Sequence, residues 1–161
     1  MDKEEVIKQT KQHIKNVQMF LTFMSQELGN RGDIHDKSKL EEPEFETFCK
    51  YTAKLATSTY GSEEYKTFLK EMKPALDHHY QNNRHHPEHF ENGIDGMNII
   101  DLIEMLCDWK AATMRHNDGD IRKSIELNTE RFNLSPQLKN ILLNSVCLFE
   151  QAQLRLFANV R

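Results

Sequence analysis

Glycine and proline are scarce, 6 and 4 in 161 residues, which argues against a collagen-like or low-complexity chain. No apolar run approaches the roughly 18 residues that a bilayer span requires, so no membrane association is expected. The start, MDKEEVIKQT, is charged from its second residue and does not read as a secretory signal. The three cysteines, Cys49, Cys107 and Cys147, are widely separated and form no CxxC pair. An odd count without a signal is expected of reduced thiols in a cytoplasm. Basic residues are not in excess either: 21 Lys and Arg stand against 25 Asp and Glu, a formal charge of −4. That excludes the broad basic footprint of a nonspecific duplex binder and leaves room for a local phosphate pocket. No segment shows the sustained period-two alternation of a strand flanked by hairpin turns.

What remains is a chain with 38% hydrophobic and 29% charged residues, the composition of a helical globule. Its length suits one compact domain over 1–161, with neither repeat nor linker to divide it. Val6, Ile14, Val17, Leu21, Met24 and Leu28 recur near helical spacing, and Gly29 and Gly32 offer that first helix an exit. A turn then carries IHDKSKL, and a second helix is expected from about Pro43 through Phe45, Phe48 and Tyr51 to Ala56. Ser62 is placed to cap a third helix that reaches Tyr80, with Pro74 as a possible kink. After the punctuated stretch QNNRHHPEHFENGIDG, a fourth helix is expected over Asn98 to Arg115, then the turn HNDGD and a short helix from Ile121 to Phe132. Ser135 and Pro136 read as cap and first residue of the last helix, ending near Phe157. Trp109 and the methionines at 97, 105 and 114 are expected in the core. The fold class expected is all-α, a compact single-domain bundle of about six helices. The apolar face of its last helix would complete the bundle or serve a homodimer contact.

The chemistry-bearing residues are the histidines and their acidic neighbours. Five of the eight histidines fall between His78 and His89. His35 and Asp36 are adjacent, with Lys39 three residues beyond Asp36. At an irregular helix start such a pair can converge on one cation, and imidazole with carboxylate suits Mn, Fe, Co or Zn. His13 sits among apolar positions of the first helix, where a partly buried core histidine is the plainer reading. Asp101, Glu104 and Asp108 project from one helical face, which is either a solvated acidic stripe or a cation-binding one.

Taken together these residues resemble the HD-domain superfamily of helical, metal-dependent phosphohydrolases. His13, His35-Asp36 and Asp108 follow its H…HD…D order. HDKSK is similar to the HDxxK form of the motif, as in the HDIGK of HD-GYP phosphodiesterases. His85-His86-Pro87-Glu88 followed by Asn92-Gly93 resembles their HHE…DG segment, and CDWKAAT with Arg115 resembles the helix bearing the last Asp ligand. The likeness spans about Lys11 to Arg115 and is nearest to small HD-like proteins of bacteria and their phages. No GYP follows HHPE, and His79 and His85 lie close together for that class, so cyclic dinucleotide specificity does not carry over.

The resemblance implies a metal core of His13, His35, Asp36 and Asp108. It also implies a second ion, bridged by Asp36, if His79 and one of His85 or His86 join. His89 is expected in solvent. Lys39 would hold a substrate phosphate, and Arg115 is either a second phosphate contact or a surface arginine. Glu104 would orient the attacking water or support a ligating histidine. The function implied is hydrolysis of a small phosphate ester, nucleotides first among them, with Asp36, Lys39 and Glu104 at the reaction centre. The competing readings are a di-iron oxygenase built on the same ligands, and a non-catalytic protein that binds a metal or a nucleotide.

Overall fold

The computed structural model describes residues 2–58, 62–115 and 119–158, without the side chains of residues 56 and 156–158. Among them every regular element is helical. The seven α-helices are α1 (Lys3–Ile34), α2 (Phe45–Thr57), α3 (Glu63–Glu71), α4 (Lys73–Asn82), α5 (Ile99–Thr113), α6 (Ile121–Phe132) and α7 (Pro136–Ala158). Short 3-10 turns cover Lys37–Leu40, Pro87–His89 and Gly93–Gly96. The chain parts into two compact units, Met1–His79 and Tyr80–Arg161, the boundary falling within α4.

In the first unit, α1 begins where the Asp2 side chain accepts the Glu5 N–H at 2.8 Å, with Glu4 and Glu5 facing the positive end of the helix dipole. The expected exit at Gly29 does not occur. A glycine inside a helix costs only about 1 kcal/mol, and α1 continues through Gly29 and Gly32 until Asp36 turns left-handed at φ 56°. No residue of α1 is buried, and Val17, Phe20 and Leu21 are among its exposed apolar side chains.

The single helix expected from Ser62 to Tyr80 is two. Ser62 does cap α3, accepting from Tyr65 N–H at 3.1 Å, but the helix stops at Met72. Pro74 has no N–H to give the carbonyl four residues back, and its ring crowds that turn, so the chain restarts with Pro74 in the first turn of α4. Tyr51, Met72 and Ala75 form the apolar part of this unit's core, and the Tyr51 hydroxyl donates to Glu71. Two ionisable side chains, Glu44 and His79, are buried with them.

The second unit has the larger apolar core: Met105, Leu106, Trp109, Ile121, Ile125, Leu134, Leu142 and Val146. Trp109 stacks on Phe132 with ring centres 6.3 Å apart. Met105 is buried and Met97 packs against the core, whereas Met114, expected inside, is exposed at the end of α5. Asn98 opens α5 with a reciprocal capping box. It accepts from Asp101 N–H at 3.0 Å, and the Asp101 carboxylate accepts the Asn98 N–H at 3.0 Å. Asp120 caps α6 and Ser135 caps α7. Residues 116–118 of the expected turn, and the side chains of Leu156 and Phe157, lie outside the described residues. Among the described residues no helix is long and apolar enough to cross a membrane.

Candidate metal centre

The end of α1 shapes the first part of the centre. Side chains of consecutive residues ordinarily diverge, but the left-handed conformation of Asp36 folds the chain back on itself. His35 Nε2 thereby comes within 3.7 Å of Asp36 Oδ2. The 3-10 turn that follows brings Lys39 round, and its Nζ donates to the same oxygen at 2.6 Å. Lys39 is thus paired with the carboxylate and lies 5.2 Å from the Phe48 ring centre, not out in water beside Glu41 and Glu42.

The other Asp36 oxygen, Oδ1, is 3.3 Å from Nε2 of His79, which α4 buries. Burial alone would raise the Asp36 pKa. The His79 hydrogen bond, the charge and hydrogen bond of Lys39 and the charge of His35 more than offset it, holding the carboxyl well below the usual carboxylate range. Behind His79 stands a fully buried carboxylate, Glu44. His78 Nδ1 lies 2.7 Å from its Oε1, His79 Nδ1 lies 2.9 Å from its Oε2, and Ser38 Oγ donates to Oε2 at 3.1 Å.

In the second unit, His85 is buried, with Nδ1 3.1 Å from Glu104 Oε1 and its ring 4.1 Å from that of His86. Glu104 thus stands beside a buried histidine. The solvated acidic stripe does not exist. Glu104 and Asp101 are buried, Asp101 accepting two hydrogen bonds from Arg84 at 3.0 and 3.2 Å. Asp108 is half-buried one turn beyond Glu104. His89, expected in solvent, is folded back by the turn at Pro87–His89 and lies with Nδ1 2.9 Å from the Tyr80 carbonyl.

The chain carries a His/Asp cluster able to hold a metal ion. The candidate donors are His35, Asp36 and His79 in the first unit and His85, His86 and Asp108 in the second. Each of these donors is an imidazole or a carboxylate, with no thiolate among them. His13 is not one of them. It is exposed on α1, and 21 residues of unbroken helix separate it from Ile34. At about 1.5 Å per residue that is about 32 Å, far too long for His13 and His35 to meet at one ion. Arg115 is exposed just past the end of α5. Glu44 was not foreseen.

These features define an all-helical protein with a histidine–carboxylate centre. The chain belongs to DUF5662, a family of unknown function, whose profile matches residues 2–147. No curated protein and no solved structure matches it.

Proposed function

We propose that this protein is a metal-dependent phosphohydrolase of HD type, acting on a small phosphate ester in the cytoplasm, with nucleotides the foremost class. The observation that carries the reading is the His/Asp cluster itself. The order of its members supports it: His35-Asp36, then His79, then His85-His86, then Asp108, as in the HD-domain likeness. The substrate class rests on that likeness alone.

A bound ion would supply polarisation of a phosphoryl oxygen and acidification of a water molecule. The chain's own residues do the rest. His35, Asp36 and His79 are the candidate donors of the first unit and His85, His86 and Asp108 those of the second, enough in number for one ion or two. Glu104 Oε1 lies 3.1 Å from His85 Nδ1, near enough to help orient a ring that presents a donor. Lys39 carries an ammonium on a flexible stem, already drawn to the centre by Asp36. It is suited to taking a phosphate oxygen and stabilising charge as it develops there. Arg115 is a second candidate for that phosphate.

The test pairs elemental analysis of protein purified without chelators with a phosphate-release screen over a nucleotide panel, using the parent chain and Asp36→Ala. The proposal expects Mn, Fe, Co or Zn in the parent, release from at least one substrate, and loss of both in Asp36→Ala. An occupancy below about 0.1 ion per chain after metal soaking would end it, given the tight binding expected of such donors. Full occupancy with no turnover would favour the non-catalytic reading, and oxygen uptake with an iron-dependent spectrum would favour the oxygenase.

A further inference from the structure

We infer that Arg84 is a positioning residue: its guanidinium, held by the Asp101 carboxylate and the Phe90 ring, sets where His85 and His86 stand along α5 relative to Asp108. The inference rests on the metal reading above and names the residue that registers the candidate donors of the second unit.

Arg84 immediately precedes the two histidines, between α4 and the turn at Pro87–His89. Asp101 lies in the first turn of α5 and is 0% exposed. Its Oδ1 accepts from Arg84 Nε at 3.2 Å, and its Oδ2 accepts from Arg84 Nη2 at 3.0 Å and from the Asn98 N–H at 3.0 Å. A two-pronged pairing of this kind fixes direction as well as distance, because both partners are planar. The guanidinium carbon also lies 4.8 Å from the Phe90 ring centre, which adds a cation–π attraction. Phe90 in turn is hemmed in. A Cβ on residue 96 would stand 2.7 Å from Phe90 Cβ, so anything larger than Gly96 would push the ring aside.

The next residue, His85, is buried with Nδ1 3.1 Å from Glu104 Oε1. Asp101 and Glu104 are three positions apart and share one face of α5. Two consecutive loop residues thus meet two acids about one helical turn apart, and Asp108 follows a turn beyond. A slip of the loop by one residue would carry His85 and His86 about 3.8 Å along, too far for a metal–ligand bond of about 2 Å to follow. The far side of the loop is tied separately, by Arg131 donating to Glu88 at 2.6 Å and by His89 Nδ1 at 2.9 Å from the Tyr80 carbonyl. Arg84 ties the near side to α5. The competing account is that the pair serves stability alone, Arg84 neutralising the buried cap of α5 with no influence on the histidines.

Two variants separate the accounts, each checked for parent-like helical content. Arg84→Gln removes the fork, whereas Gly96→Ala displaces Phe90 and leaves Arg84 and Asp101 as they are. In the metal-free chains, hydrogen exchange is followed at the amides of His86, His89 and Phe90, which bond within the loop, and at Ile125 in the core. The loop amides of Arg84→Gln should exchange roughly tenfold faster, beyond any change at Ile125. Co2+ should bind Arg84→Gln roughly ten- to hundredfold more weakly and Gly96→Ala less severely so, with an altered Co2+ absorption envelope in both. Parent-like affinity and spectrum in Arg84→Gln, with only the urea midpoint lowered, would overturn the inference in favour of stability alone. Should Arg84→Gln not fold, Gly96→Ala decides by the same readings. If the parent takes up no Co2+, the metal reading falls; faster loop exchange would then leave the register assignment standing, and unchanged exchange would overturn that too.

Discussion

Replacing His13 with alanine separates the ligand set implied by the H…HD…D order from the one the structure assembles. Metal–ligand bonds to nitrogen and oxygen are about 2 Å long, so two ligands of one ion lie within a few ångströms of each other. α1 is a single helix from Lys3 to Ile34, and His13 stands about 32 Å along it from the residue before His35. His13→Ala should therefore bind Co2+ within about twofold of the parent. His79→Ala removes a donor that lies 3.3 Å from Asp36. Four-ligand structural zinc sites bind with roughly 10–16 kcal/mol, so on that scale one ligand is worth about 3 kcal/mol, or about a hundredfold in affinity. Competition against a chromophoric chelator measures both, and circular dichroism shows that each variant keeps its helices. A hundredfold loss in folded His13→Ala would refute the reasoning, because it would require α1 to break and fold back between residues 13 and 35. Unchanged affinity in His79→Ala would refute the cluster.

Three further outcomes follow from the same geometry. Lys39→Ala should keep its metal, since no donor is lost, and slow phosphate release by roughly ten- to a thousandfold; full activity would remove Lys39 from the mechanism. The Asp36 carboxyl is more acidic folded than unfolded, so its pairing with His79, Lys39 and His35 adds stability that is fully present above the unfolded pKa of about 4 and lost as the pH falls below it. In metal-free urea titrations the advantage of the parent over Asp36→Asn should shrink between about pH 6 and pH 3, and an advantage that grows on acidification would contradict the sign. Asp101→Ala removes the Asn98 capping partner and the acceptor of Arg84; it should lower unfolding free energy by about 1–3 kcal/mol, and a loss below about 0.5 kcal/mol would contradict the role given to the buried carboxylate.

The helices were legible wherever a capping side chain and an apolar period agreed. Ser62 and Ser135 cap the helices they were expected to open, and α6 spans Ile121–Phe132 as its pattern predicts. Boundaries failed where a weak local signal met a cooperative one. Gly29 and Gly32 disfavour a helix only slightly, and hydrogen bonds on either side carry α1 past both. Pro74 acts through hard sterics and a missing donor, which no neighbouring turn can offset, so it ends a helix where the glycines do not.

The same contrast governs the centre. His35, Asp36, His79, His85, His86 and Asp108 were legible because donor type is written in the residue and their order is written in the chain. Two properties were not, because each depends on contacts made only after folding. One is reach: His13 has the right chemistry and rank in the order, yet an unbroken helix puts it out of range. The other is burial. Glu44 stands in the run Glu41, Glu42, Pro43, Glu44, Phe45, Glu46, and nothing in its type separates it from three glutamates beside it. What singles it out is a pair of histidines more than thirty positions downstream that arrive on α4 with their Nδ1 edges toward it. A carboxylate in this position is tolerable only because those donors come, and the donors are oriented only because the carboxylate is there. Ligand identity is therefore a one-residue property that a sequence can display, whereas ligand orientation belongs to the pair and appears only once α4 has packed behind the turn that carries Asp36.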